Sequence, residues 1–432
     1  MRIKNILWNL LGLGIPLIIA AATIPALIDR LGTERFGLLA MAWGLTALSG
    51  LFDLGIGRAA TQAVSAYIGA RQRSNVPVVV YVAARLAIIT GLAGGIFFAA
   101  LVLLGIQNNL KFSPILTTEV FWAFLLLAFV IPLQSVSAMY RGINEAFENF
   151  RYISLIRAGL GVASFAGPLA ITYWTNQLPW LFASLVISRA IGFYFYRRAA
   201  QQHTNSSSKS TLAYSADVRM QIRARLLSFG GWFTISNIIY PLLGQVDRWF
   251  IGTLISAAAV TSYVVPFDLI GQSLTIVGAV TTVAFPNITS RIQNDGVRAT
   301  FEFRRILLFM VGLMTVVTIG LILIMPSLLP LWLGTDFPKV GIEVGQVLAL
   351  GLVPFTIGSM YLVIIHAHQR VDINAKSHVI QVAIFLPAIY WAVSHYGPVG
   401  AAWCWVARNT VDAMLTIIWF NCRDRSREIS SV

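Results

Sequence analysis

The chain has 432 residues, 57% hydrophobic and only 11% charged, with a formal net charge of +14. Soluble domains carry roughly 25% charged residues, so this composition excludes a soluble globular protein and indicates a polytopic membrane protein. No basic run interleaved with aromatics occurs in a polar segment, which argues against a nucleic-acid partner. The two cysteines, Cys404 and Cys422, have no metal-ligand spacing, and no disulfide is expected between them.

A membrane span needs about 20 apolar residues. Met1-Arg2-Ile3-Lys4 and the apolar run through Ala20-Ala21-Ala22 imitate a signal peptide, but the run continues to Ile28, so a retained first span is expected. Spans are expected at 6–28, 37–66, 78–105, 119–140, 152–174 and 179–196. After a polar stretch, six more follow at 226–250, 258–288, 306–333, 342–365, 377–394 and 397–420. The second and eighth are too long for straight helices and are expected to tilt or break. Domains divide accordingly: a six-helix bundle at 1–200, a linker at 201–225, a second bundle at 226–420 and a tail at 421–432. The expected fold is all-α, with about twelve transmembrane helices in two bundles.

The connections alternate in charge. One side collects 21 of the 31 lysines and arginines, including Arg71, Arg141, Arg151, Arg197, Arg198 and Arg223. The other side has five: Arg30, Arg35, Lys111, Arg248 and Lys339. The positive-inside rule puts both termini and 197–225 in the cytoplasm. The Trp residues at 8, 122, 174, 180, 249, 332 and 391 flank spans as interfacial anchors.

Five arginines remain, all within spans: Arg58, Arg85, Arg157, Arg189 and Arg408. A cation there costs about 2.5–3.5 kcal/mol on insertion scales. A guanidinium forks onto phosphate or carboxylate as an ammonium cannot. Arg58, Arg85, Arg189 and Arg408 are therefore candidates for an anion path. Arg157 lies close to the cytoplasmic interface, where snorkelling is the simpler reading, and Arg408 could pair with Asp412 one turn on. The in-span acids Asp53, Asp268 and Asp412 either bind a coupling proton or sodium ion or neutralise a neighbouring arginine. Asp29 and Asp247 read as local partners of Arg30 and Arg248 or as helix caps. Gly91 and Gly95 read as close-packing positions. Proline kinks are expected at Pro16, Pro25, Pro132, Pro168, Pro241, Pro354 and Pro387.

The halves echo each other. Asp29 matches Asp247, Arg71 matches Arg291, Pro132 matches Pro354 and Arg189 matches Arg408, at offsets of 218, 220, 222 and 219. An even number of spans per half makes the repeat parallel, with a pseudo-twofold along the membrane normal. Arg189 and Arg408 would then face one cavity.

The run Leu7-Trp8-Asn9-Leu10-Leu11-Gly12, then TIPALIDRLGTERFGLLAMAWG and LFDLGIGRAATQAVSAY, resembles polysaccharide flippases of the O-antigen type, within the multidrug/oligosaccharidyl-lipid/polysaccharide exporter superfamily. RLGTERFGLLA (30–40) and DLGIGRA (53–59) carry most of it, with an echo in Gln369-Arg370-Val371-Asp372-Ile373-Asn374. The resemblance implies alternating-access export of undecaprenyl-pyrophosphate-linked oligosaccharide across the bacterial cytoplasmic membrane. Membrane lipids, a proton or sodium ion and a polysaccharide polymerase are the expected partners. A drug/cation antiporter of the same superfamily would favour acids over arginines in its spans. A glycan polymerase or ligase would need a larger external loop than 106–118. No H-E-x-x-H, P-loop or nucleophile elbow occurs. His366 and His368, two apart, would face different sides of a helix. No cofactor, metal site or catalytic residue is expected.

Overall fold

The structure is a computed structural model. It describes residues 3–48, 52–204, 220, 222–224, 244–294, 296–334, 336–367 and 371–430. Among these residues the secondary structure is helical, without a strand. The chain forms two compact units, Met1–Gln245 and Val246–Val432.

The first unit contains α1 (Ile3–Leu48), α2 (Ile56–Gly69), α3 (Val76–Leu103), α4 (Thr117–Leu127), α5 (Val130–Ala146), α6 (Phe150–Ile171) and α7 (Leu178–Thr204). α1 is two helices meeting at Gly32, whose φ of 74° suits a residue without a Cβ. Around this corner the 30–40 motif ties three helices together. The Arg30 guanidinium lies 4.0 Å over the Tyr173 ring. Arg35 forks onto Glu119, with Nη2 to Oε1 at 2.9 Å and Nε to Oε2 at 3.3 Å. The Leu178 N–H donates to the same carboxylate at 3.2 Å. Glu119 thus joins α1, α4 and α7. The motif's Phe36, Leu38 and Leu39 are buried beside it.

The 53–59 motif is a second corner. Leu54 and Gly55 have φ of 48° and 70°. The Asp53 carboxylate accepts the Gly57 N–H at 3.1 Å as α2 begins. The long second span therefore breaks, as expected from its length. α2 then lies close on α5: a Cβ on Gly142 would overlap the Gly57 carbonyl oxygen, and the Thr61 hydroxyl donates to the Gly142 carbonyl at 2.9 Å. Gly142→Ala is expected to destabilise the protein by roughly 1–3 kcal/mol through overpacking. Gly159→Ala is the control: its Cβ meets nothing within 4 Å, and the change should be neutral or stabilise by up to ~1 kcal/mol. Melting temperatures in detergent measure both. Gly91 and Gly95 do allow close approach, with Cβ positions 2.8 Å from Pro132 Cα and from the Ala128 carbonyl oxygen.

The second unit contains α8 (Val246–Leu254), α9 (Ala257–Asn294), α10 (Gly296–Leu333), α11 (Lys339–Leu350), α12 (Leu352–Ala367) and α13 (Val371–Ser430). α13, like α1, folds back at one glycine, Gly397, with φ 60°. α9 runs unbroken for 38 residues, about 57 Å at 1.5 Å per residue, so of the tilt or break expected in the eighth span a break does not occur. The prolines follow the repeat closely. Pro132 is the third residue of α5, after the break from α4; Pro354 is the third residue of α12, after the break from α11. Proline brings no N–H, which makes the start of a helix its natural place. Pro16 and Pro25 lie inside α1, Pro168 inside α6 and Pro387 inside α13.

Nine stretches among the described residues are long and apolar enough to cross a membrane. Two of them, 14–46 and 380–420, turn at Gly32 and Gly397; the first carries most of the first expected span and the start of the second, the other most of the last two. Only the end of the seventh expected span, α8, is described; most of it, with Pro241 and most of the linker, lies outside the described residues. Outward faces are apolar: Leu308, Leu323 and Leu331 of α10 are 72%, 72% and 87% exposed. Water would penalise such a surface, and lipid would not. Trp122, Trp174, Trp180 and Trp391 are exposed as anchors should be.

Candidate functional site

Three helices of the first unit aim arginines into one space. Arg141 ends a stripe on α5 with Gln134 and Ser137. Arg157 begins one on α6 with Gly161 and Ser164. Arg189 shares a face of α7 with Tyr196. Each stripe follows the helical spacing of three, four and seven residues. Together with Pro16 of α1 they enclose a cavity of about 340 Å³. All three guanidinium groups lie within electrostatic reach of Tyr196.

The surrounding packing sets this geometry. A Cβ on Gly161 would overlap the Pro16 ring, so α1 and α6 meet there. Trp43 Nε1–H donates to the Ser164 carbonyl at 3.2 Å, holding α1 to α6 higher up. Asn144, fully buried, donates to the carbonyls of Tyr140 at 2.8 Å and Tyr196 at 3.1 Å, pinning α5 to α7. Ser137 and Ser164 turn their hydroxyls back onto the carbonyls of Leu133 and Leu160. The guanidiniums are therefore the cavity's strongest donors.

Arg189 is the most telling of the three. Its Nε is buried and has no hydrogen-bond partner among the described residues. A buried donor left unsatisfied costs about 1–3 kcal/mol, more when charged, and an oxyanion in the cavity would remove that cost. Arg141 pairs loosely with Glu145, at 3.7 Å with both side chains half-exposed.

The other residues singled out from sequence lie elsewhere. Arg58 and Arg85 are exposed on α2 and α3, and neither lines this cavity. Arg157, read as snorkelling to the interface, lines it. Arg141, read as part of a polar connection, also lines it. The signal for Arg141 was the Gln134–Ser137–Arg141 stripe in an otherwise apolar span.

In the second unit Arg408 lies 4.9 Å from the Phe385 ring centre. Asp412 accepts a hydrogen bond from Gln381 at 2.7 Å. Asp268 pairs with Arg248 at 2.8 Å, while Arg248 also lies within electrostatic reach of Asp247. Asp247, 1% exposed, accepts from the Tyr263 hydroxyl at 2.6 Å. Asp53 caps α2. His368 lies outside the described residues.

Two solved structures share this fold. A multidrug resistance transporter of the MATE family and MOP superfamily, in an inward-facing conformation, aligns with a TM-score of 0.77 at 13% identity, over 98% of this chain and 100% of that one. The Vibrio cholerae MATE transporter VcmN aligns with a TM-score of 0.64 at 15% identity, over 98% and 97%. At such identities the likeness speaks for the fold alone: all-α, polytopic, about twelve helices in two bundles. A Shigella flexneri protein named as an O-antigen transporter is 27% identical over 96% of each chain. The Escherichia coli K12 lipopolysaccharide biosynthesis protein WzxC is 22% identical over 72% of this chain and 60% of its own length. The polysaccharide biosynthesis protein family matches residues 3–293, and the chain belongs to that family.

Proposed function

We propose that this chain is a flippase. It moves a lipid-linked saccharide, an oligosaccharide on undecaprenyl pyrophosphate, from the inner to the outer leaflet of the bacterial cytoplasmic membrane by alternating access. The observation that carries this reading is the arginine-lined cavity among the membrane-spanning helices of a chain in this family. A pyrophosphate crossing the bilayer must exchange its water for donors of matching geometry. Arg141, Arg157 and Arg189 supply forked, charged donors where the dielectric is low. The exposed Arg58 and Arg85 and the aromatic-stacked Arg408 remain candidates for other contacts on the path. Asp53, Asp268 and Asp412 remain candidates for coupling to a proton or sodium ion. The full-length similarity to a protein named as an O-antigen transporter supports the same substrate class.

Loss of the chain from its host should stop surface polysaccharide and leave the lipid-linked unit on the inner leaflet. Normal surface polysaccharide without trapped intermediate would overturn the proposal. The charge asymmetry puts both termini in the cytoplasm. In a background lacking Cys404 and Cys422, Ser207→Cys should resist a membrane-impermeant thiol reagent in intact cells and Thr335→Cys should react. Reaction of both would contradict that orientation.

A further inference from the structure

The opposite face of α5 borders a second cavity, of about 480 Å³, whose surface is almost wholly apolar. Its floor is Pro132, Leu133 and Tyr140; Leu92 of α3 forms one wall and Phe193 of α7 the other. The groove is open to the outside of the first unit: Leu92 is 48% exposed, and Phe129 at its far end 61%. Its origin is local. α5 restarts at Val130 after the break from α4, two residues before Pro132, and Gly91 and Gly95 draw α3 against this junction at Pro132 and Ala128.

The groove has one polar end. Exposed Arg197 closes it on α7, within electrostatic reach of the Tyr140 hydroxyl. From Val186 to Arg197 the helix rises roughly 16 Å. One leaflet of the hydrocarbon core is about 15 Å deep, half of the whole. An apolar trough one leaflet long with a guanidinium at headgroup level matches a diacyl phospholipid with an anionic headgroup. We propose that it binds one such lipid, an acyl chain along Pro132 and Leu133 and the phosphate on Arg197 and Tyr140. The occupant comes from the leaflet on the Arg197 side. A polyprenyl carrier chain is several times longer than the trough. This site is separate from the arginine cavity and does not rest on the flippase reading.

Native mass spectrometry of the full-length protein, with phosphatidylglycerol or phosphatidylcholine of equal chain length added, tests it. The wild type should retain one phosphatidylglycerol in preference to phosphatidylcholine. Arg197→Ala, a surface change that leaves the packing intact, should cut that retention about fivefold, the worth of one basic residue near an anionic surface. Leu133→Trp should also cut it by filling the floor, whereas Arg198→Ala, outside the groove, should not. Equal retention of the two lipids, unchanged retention in Arg197→Ala, or preference for an added polyprenyl phosphate would each overturn the proposal.

Discussion

Replacing Arg189 with alanine should reduce outward movement of lipid-linked oligosaccharide at least tenfold while protein still reaches the membrane in normal amount. The buried Nε has no hydrogen-bond partner among the described residues, so its removal breaks no hydrogen bond seen there. It would remove donors from the substrate, and hydrogen bonds to charged groups are worth about 1.5–3 kcal/mol each, or roughly ten- to a hundredfold. Arg189→Lys keeps the charge but not the fork and should recover only part of the rate. Arg141→Ala and Arg157→Ala should each impair movement less, since Arg141 lies five residues from the end of α5 and Arg157 seven from the start of α6, whereas Arg189 lies near the middle of α7. A merely structural Arg189 would behave differently: abundance would fall, and transport per molecule would not. Labelled substrate appearing on the outer leaflet, normalised to protein, separates the two.

The second large effect concerns Asp268. Its partner Arg248 is 8% exposed, and the two meet at 2.8 Å. Asp268→Ala removes a carboxylate from a buried guanidinium, but the Asp268 side chain is itself 40% exposed, so solvent screening holds the cost below the roughly 3–5 kcal/mol of a fully buried pair. Against a typical total stability of about 5–15 kcal/mol, abundance should fall. Replacing both residues together, Arg248→Met with Asp268→Leu, should restore it, because the half-buried pair is then exchanged for packing. Immunoblots of membrane fractions and melting curves measure both variants. Asp268→Ala that keeps normal abundance but loses transport would instead support ion coupling at this position.

These two residues also show what the sequence carried. Span number, the bundle division and the glycine contacts at Gly91 and Gly95 follow from apolar run length and small-residue spacing, which are local properties. The match of Pro132 with Pro354 was legible as a repeat, but as two kinks rather than as the helix starts they form, since proline falls inside helices too, as at Pro25 and Pro168. Pairings across helices were not legible. Nothing local tells that Arg248 hydrogen-bonds Asp268 as well as lying beside its neighbour Asp247, since that depends on how α8 turns against α9. The arginine-lined cavity was half legible. Arg189 stood out as an arginine within a span that matches Arg408 in the repeat, but Arg141 was hidden by its place at the end of a span, where basic residues are ordinary. Only the polar stripe running from Gln134 to it distinguishes it, and only the packing of α5, α6 and α7 shows that three such stripes converge.

The most direct test of the flippase reading uses the purified chain in vesicles loaded on one leaflet with fluorescent undecaprenyl-pyrophosphate oligosaccharide. Reagent accessibility at the other leaflet should rise with the wild-type protein, and far more slowly with an Arg141→Ala/Arg157→Ala/Arg189→Ala triple variant of equal fold. Movement of that lipid no faster than in empty vesicles, with export of a cationic drug from the same preparation, would contradict the account and favour the antiporter reading.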